Sequence, residues 1–541
     1  MHWADVLAEK LFKEKKKHVL ATGITPSGPI HIGNMREILT TDAVYRCLVE
    51  KGGDAEFIYI ADDFDPLRKV YPYLPKTYEH YVGKPISDIP CPCGKHKSYA
   101  DHYLFVFLNS LKEIGVNPHV YRASEMYKNG EYTEAIQIAL ENTDKIRTII
   151  ETISKRKLPK NWLPFNILCE KCGRISAAKP ILYEYPIIEY ICDCGYEGEV
   201  DIRKGGVGKL PWRVDWPARW KMLGVTFEPC GKDLATAGGA RDTGAKIVEE
   251  IYNYPHPALL VYEFILLKGK GAMHSSKGTA LSSEEMLQMT PPEVLRFLIM
   301  KNQPNKHLTF DTGLGLVNLV DEYDKYERIR FEEKHGDFDS VYNHIRFEEK
   351  HGEYYFIDDQ NVVILEVSPD GKTSRYVVHE FANIIKVFEL SQPYNILKTI
   401  PFQLPYRHLV TLIQIGKNWE GIKKILLRTG QIPDDLNKED ETHLKQRTEH
   451  VKYWLDNFAP DIVKFEVKKK LPKIALSKDQ KEFLLSLQEK ILKISWSPEE
   501  IHNAIYETSK EKDIQIKTAF KTLYQIILAQ EKGPRAGYFL S

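Results

Sequence analysis

The sequence predicts a mixed α/β and all-α architecture: a doubly wound parallel sheet, split by a cysteine-rich insertion and followed by a predominantly helical C-terminal half. Three observations predict it. Near the N-terminus a strand, a glycine-bearing turn, a helix and a second strand follow one another, the order of a βαβ unit. Six of the eight cysteines fall in close pairs between positions 91 and 194, within a stretch of short, broken elements. After residue 290 the apolar spacing is that of helices.

Residues 18–24 (HVLATGI) read as a buried strand, and the turn from Thr25 to Pro29 leads into a helical pattern from His31 to Glu50. After Gly52 and Gly53 the run AEFIYIAD reads as the second strand. The texture breaks up from about 86, and alternation resumes at 206 with the apolar run ALLVYEFILL as a sheet strand. The divisions expected are 1–85 and 206–290 for the two halves of the sheet domain, and 86–205 for the insertion. A connecting domain is expected at 291–390 and a helical domain at 391–541. Within 353–380, alternating runs flank Ser368, Pro369, Asp370 and Gly371, a hairpin signal. The octapeptide IRFEEKHG occurs at 329–336 and again at 345–352, and reads as a local helical duplication.

Composition narrows the setting. The chain has 541 residues, 43% of them apolar, with 75 basic and 75 acidic side chains. Large cores are therefore within reach and wholesale disorder is excluded. The zero net charge offers no bulk basic signal for nucleic acid. No apolar run is long enough to span a bilayer, since ALLVYEFILL carries Glu263. The opening MHWADVLAEKLFKEKKK lacks the apolar core of a secretory signal. A cytoplasmic, non-membrane protein is the expectation.

The paired cysteines suit that reducing compartment as metal knuckles. Cys169-x2-Cys172-Gly173 and Cys192-x-Cys194-Gly195 supply four thiolates for a closed, structural tetrahedral zinc site. Cys91-x-Cys93-Gly94-x-His96, with His102, has the donors for a second; His80 is an alternative to either histidine. Each knuckle glycine can take the positive φ that turns backbone N–H groups toward sulfur. Cys47, within the helix, and Cys230, in a loop before Gly231, read as packing residues.

The first chemical motif is the turn Thr25-Pro-Ser-Gly-Pro-Ile-His31-Ile-Gly33-Asn34. An open parallel sheet binds nucleotides at such a place, outside the carboxyl end of a strand and against a helix N-terminus. Gly33 permits close approach to the backbone, and His31 and Asn34 offer donors for charge developing on an α-phosphate. Alone, the turn is equally explained by a capped helix start and a buried histidine. The second motif, Met273-His274-Ser275-Ser276-Lys277-Gly278, follows the last predicted sheet strand. Its hydroxyls and lysine suit a mobile loop that closes over a triphosphate, with Lys277 on the departing pyrophosphate.

Together these motifs resemble the two signatures of class I aminoacyl-tRNA synthetases. ATGITPSGPIHIGN, LPWRVDWPARW and HLVTLIQI resemble in particular the class I lysyl-tRNA synthetases, found mainly in archaea. The resemblance covers most of the chain, with departures: Asn34 replaces the usual second histidine, and Ala272 replaces the leading lysine of the second signature. It implies ATP-dependent activation of lysine, with Mg2+, and transfer to tRNA(Lys). His31, Asn34 and Lys277 would be catalytic, with Gly33, Ser275, Ser276 and Lys277 on ATP. The glutamate enzymes of the class are the alternative, but the position that typically carries their substrate-pairing arginine is Ala21. An inactive, synthetase-like RNA-binding protein is a third reading.

Lysine also suits the charges near the second strand. Asp62, in the run Ala61-Asp62-Asp63-Phe64-Asp65, could attract an ammonium, or simply cap a helix. Gly23 and Thr25 lie at the end of the first strand, and Tyr59, Trp216 and Tyr262 could wall an aliphatic stem. From 391 onward, basic helix faces (Lys417, Lys423, Lys424, Arg428, Lys464, Lys468, Lys469, Lys470, Lys473) alternate with Trp419, Tyr453 and Trp454. Cations on phosphates and aromatics under bases suit single-stranded RNA. Resemblance assigns this half to the anticodon and 291–390 to the tRNA stem. Oligomeric state is not legible.

Overall fold

The computed structural model describes residues 1–269, 271–272, 281–334, 346–350, 353–358, 361–365, 375–396, 399–468 and 470–540. They form two compact units. One comprises residues 1–287, 292–310 and 336–396; the other comprises 288–291, 311–335 and 397–541.

The first unit is built on a five-stranded parallel sheet. Helix α1 (Trp3–Glu14) precedes β1 (Lys17–Ile24), which is followed by α2 (Ile32–Glu50) and β2 (Asp54–Ala61). Then α3 (Tyr99–Glu113) leads to β3 (His119–Arg122). The last two strands of the sheet are Phe227–Gly231 and Ala258–Tyr262. Their order across the sheet is Ala258–Tyr262, Phe227–Gly231, β1, β2, β3, so the chain starts in the middle and winds outward both ways. β1 and β2 run in parallel register from Lys17 opposite Asp54 to Ile24 opposite Ala61. Such strands are covered on both faces, and Leu20 and Ala21 are accordingly sealed from solvent. Strand exit, turn and helix entry between β1 and α2 place residues 25–34 at the carboxyl edge of the sheet.

The expected insertion at 86–205 is interrupted by β3, which belongs to the main sheet; a further segment lies between β3 and Phe227–Gly231. It holds an antiparallel sheet of Ala178–Glu184, Ile187–Cys192 and Glu197–Asp201. A two-residue pair, Asn166–Ile167 with Gly208–Lys209, closes its base.

Four further expectations need correction. ALLVYEFILL is two strands in different sheets: Ala258–Tyr262 in the main sheet, and Ile265–Leu267 beside Leu308–Phe310. The break is at Glu263, a buried carboxylate that pairs with Lys232 and His307 while its N–H donates to the Pro304 carbonyl. Cys230 lies in a central strand, not a loop. Glu353–Asp358 pairs antiparallel with Asn361–Leu365, and the run expected as a strand beyond Ser368–Gly371 is helix from Arg375 on; Ser368–Gly371 themselves lie outside the described residues. The repeated octapeptide is not a helical duplication. Ile329–Lys334 end the helix Leu314–Lys334, whereas Arg346–Lys350 of the second copy form a strand paired with Glu353–Ile357.

The second unit is helical. Its main helices are Leu314–Lys334, Tyr406–Gly416, Trp419–Arg428, Lys438–Asn457, Lys478–Ile491, Pro498–Glu511 and Ile516–Leu528. Asn418, Asn437, Ser477 and Ser497 cap four of them by accepting backbone N–H bonds. Arg447 holds Asp324 bidentately at 2.9 and 2.8 Å in its interior. Among the described residues no helix is long and apolar enough to cross a membrane.

Candidate active site

The turn between β1 and α2 is fixed by its own side chains. His31 is the N-cap of α2: its Nδ1 accepts the Gly33 N–H at 3.1 Å. Asn34 closes a capping box, its Oδ1 accepting the His31 N–H at 3.4 Å. A side chain on Gly33 would meet the imidazole at 2.7 Å, so glycine here makes room for His31 itself. Two tyrosines anchor the turn from below, the hydroxyls of Tyr73 and Tyr99 both donating to the Ser27 carbonyl. Capping uses the oxygen of Asn34 and leaves its amide N–H groups unpaired among the described residues. The helix N-terminus and these donors together present N–H groups and the positive end of the helix dipole, an arrangement that suits an anion.

Beside this turn a cavity of about 340 Å³ opens between β1, β2, the strand Phe227–Gly231 and the helix Trp212–Met222. Its size is at the lower end for a small-molecule site, ~300–1,000 Å³. The wall includes Ala21, Gly23 and Thr25 from β1 and its turn, Glu37 from α2, and Trp216 and Trp220. Glu37 is the centre of its polar chemistry. One carboxylate oxygen accepts the Gly23 N–H at 3.2 Å, and the other accepts the Tyr262 hydroxyl at 2.7 Å. Burial pushes the Glu37 carboxyl up to about 8, and the neighbouring Glu228 adds to the effect. Glu228 is buried as well, and one of its oxygens accepts both indole N–H groups, from Trp216 at 3.0 Å and from Trp220. One carboxylate thus sets the orientation of two aromatic walls.

The third cavity feature is a buried charge cluster at the end of β2. Lys209 and Arg219 take the two oxygens of Asp62, each at 3.0 Å. Burial alone would raise the Asp62 carboxyl, but these two cations override it and hold it below the usual carboxylate range. Asp65 accepts from Lys209 at 2.6 Å and from the Thr25 hydroxyl at 3.2 Å. The cavity therefore offers a small apolar floor at Ala21, two aromatic walls, carboxylates at Asp62 and Asp65 paired with protein cations, and at Glu37 a carboxyl with no ion pair among the described residues.

Comparison with known proteins assigns this arrangement to a family. Residues 1–348 match the family model described as tRNA synthetases class I (K). The lysine–tRNA ligase of Methanosarcina barkeri is 42% identical, over all of this chain and 95% of its own length. That of Archaeoglobus fulgidus is 42% identical over 100% and 97%, and that of Methanococcus maripaludis 41% over 100% and 97%. The chain belongs to the class I lysyl-tRNA synthetases.

Within this synthetase the expected site residues separate clearly. Gly23, Thr25, Asp62 and Trp216 line the cavity, and Tyr262 reaches it through Glu37. Asp62 lines it as an already paired anion, not as an open one. Tyr59 is not in the wall: strand alternation sends Ile60 to the cavity, while Tyr59 packs in the core against Phe107. His31, Gly33 and Asn34 stand at the sheet edge as expected. Ser275, Ser276 and Lys277 lie outside the described residues. Sequence reasoning missed Glu37, Glu228, Lys209 and Arg219. Glu37 lies six residues past His31 on a helix, just under one turn beyond the end of the motif, and carries no signature of its own. LPWRVDWPARW contained Arg219 and the two tryptophans, but nothing in it points to their shared acceptor.

The four thiolates of Cys169, Cys172, Cys192 and Cys194 converge, with all sulfurs within 4.8 Å of one another. Two of the Sγ–Sγ separations are 3.8 and 3.6 Å. A tetrahedron with metal–sulfur bonds of ~2.3 Å has edges of about 3.8 Å, so the set fits zinc. Gly173 and Gly195 take the positive φ expected, 67° and 79°. In the other cluster Cys91, Cys93 and His102 gather, but His96 does not join them; its ring packs against that of His102 at 5.3 Å between centroids. Three donors fit a metal less completely than four.

Two aromatic residues of the helical unit are also placed differently from expectation. Trp419 and Trp454 are buried, their indoles donating to Glu441 and the Thr312 carbonyl, so neither presents a face to a base. Exposed rings there include Trp496, Tyr506 and Tyr538.

Proposed function

We propose that this chain activates lysine with ATP to form lysyl-adenylate and pyrophosphate, and then transfers lysine to the 3′-terminal ribose of tRNA(Lys). The observation that carries the choice of amino acid is the Glu37–Tyr262 pair in a cavity with Ala21 on its floor. A carboxyl and a phenol oxygen can both accept from an ammonium, and no cation stands at position 21 to receive a carboxylate. Trp216 and Trp220, held by Glu228, flank the aliphatic stem.

In the first step an oxygen of the lysine carboxylate attacks the α-phosphorus, and the bond to the β-phosphate oxygen breaks with release of pyrophosphate. His31 and Asn34, with the N–H groups that open α2, stabilise the charge gathering on the α-phosphate. Lys277, Ser275 and Ser276 act on the β- and γ-phosphates by family resemblance. Mg2+ bound with ATP neutralises part of the triphosphate charge. In the second step a hydroxyl of the terminal ribose attacks the lysyl carbonyl and AMP leaves. Cys169, Cys172, Cys192 and Cys194 would hold a structural zinc, and Cys91, Cys93 and His102 are the candidate ligands of a second. The helical half reads the anticodon, in a cytoplasmic enzyme.

An ATP–pyrophosphate exchange panel with lysine, glutamate and arginine tests this reading. Exchange with lysine alone is the expected result. Exchange with glutamate would replace the substrate assignment, and no exchange with any of the three would leave an RNA-binding protein without ligase activity.

A further inference from the structure

Lysine side chains are almost never fully buried without a partner, yet Lys209 is 2% exposed. It comes from the base of the insertion, where Gly208–Lys209 pairs with Asn166–Ile167 two residues ahead of Cys169. Its ammonium reaches out of that base to three carboxylates: Asp65 at 2.6 Å, Asp62 at 3.0 Å and Asp215 at 3.3 Å. Arg219 completes the cluster at 3.0 Å from Asp62 and 3.2 Å from Asp215, and the Tyr132 hydroxyl donates to Asp215 at 2.9 Å. Three anions thus face two buried cations, with the exposed Arg68 3.9 Å from Asp65 at the rim. Oδ2 of Asp215 has no hydrogen bond of good geometry among the described residues, so the Lys209 ion pair is what answers it.

The cluster touches the amino-acid cavity from behind. Asp62, Asp65 and Arg219 form part of its wall, and Asp65 also accepts the Thr25 hydroxyl. Lys209 itself does not line the cavity. We propose that Lys209 is a positioning residue for amino-acid binding, in two linked ways. Its ammonium fixes the turn Asp62–Asp65 and, through Asp65, the Thr25 end of β1. It also occupies the place that an alkylammonium would otherwise take among these carboxylates, so the incoming lysine meets Glu37 and not a decoy. The inference rests on the lysine-activating reading, because only a cationic substrate would be diverted. Displacements of this kind, remote from the reacting atoms, can cost up to ~100-fold in rate or affinity.

The test uses the full-length chain and compares wild type with Lys209→Ala in lysine-dependent ATP–pyrophosphate exchange. The expected result is a lysine KM raised about tenfold or more with the ATP KM within about twofold of wild type. Added ethylammonium should fill the vacated place and lower the lysine KM again, whereas ethanol should not. An unchanged lysine KM would overturn the proposal. So would a fall in kcat with both KM values unchanged and no response to ethylammonium, the mark of a lost folded fraction. Where Lys209→Ala does not fold, the double variant Lys209→Met/Asp62→Asn lowers the charge on both sides; a wild-type lysine KM in that protein likewise overturns it. Failure of the wild-type chain to exchange with lysine would instead remove the substrate reading on which the inference stands.

Discussion

At the scale of single residues, Glu37 gives the molecule a pH signature. Its carboxyl, raised to about 8 by burial, is mostly protonated at neutral pH in the empty cavity. An ammonium beside it favours the charged form, so binding lysine expels the proton. Calorimetry in buffers of differing ionisation enthalpy is expected to show about one proton released per lysine bound at pH 7, falling toward none above pH 9. Lysine KM falls correspondingly as pH rises from 6 to 8. Glu37→Gln removes both the proton release and this pH dependence. The same group bears on stability. Its folded pKa lies above its ordinary value, so its contribution is complete below about 4.5 and is lost as pH rises through about 8. Position within a motif made His31, Gly33 and Asn34 legible in the sequence. Glu37 was not legible, because its chemistry arises from the Gly23 N–H and Tyr262 hydroxyl, which reach it from distant parts of the chain.

Among elements, local pattern identified the βαβ opening almost to the residue, since β1, α2 and β2 each carry their own punctuation. It failed where neighbours decide. IRFEEK is helix in one copy, and RFEEK is strand in the other: propensity is a weak prior that tertiary pairing overrides. ALLVYEFILL is continuous in hydrophobicity but is interrupted by partners of Glu263 from elsewhere in the chain. A similar long-range device joins four elements at Arg296, on the helix Pro292–Met300. This fully buried guanidinium pairs with Asp42 of α2 at 2.6 Å and donates to the carbonyls of Leu390 and Ile114. Arg296→Met leaves Asp42 beside Arg46 alone and three carbonyl bonds unmade. A loss of about 3–5 kcal/mol is expected, to be read as a shift of the urea midpoint; a shift under ~1 kcal/mol would show that the four elements hold together without it.

For the whole molecule, zero net charge conceals a division of tasks that the motifs imply and the pairings refine. Lys423 and Lys468 of the helical unit pair with Glu441 and Glu466, which leaves Lys417, Lys424, Lys464, Lys470 and Lys473 as the lysines of the expected basic faces for which a phosphate contact is proposed. If those residues carry tRNA, raising salt from 50 to 200 mM weakens aminoacylation through the KM for tRNA by about tenfold or more, while lysine-dependent exchange changes little. Parallel losses in both assays would place the salt effect in the sheet unit. The order of the chain has a further consequence. The sheet unit takes its last segment from residues 336–396, and that segment carries two of its ties: Lys386 to Asp5, and the Leu390 carbonyl to Arg296. On a ribosome moving at about 5–20 residues per second, Asp5 of the first helix waits roughly 20–80 s for Lys386 to be synthesised. Through that interval the nascent chain must keep an unfinished nucleotide-binding core from associating with its neighbours on the same message.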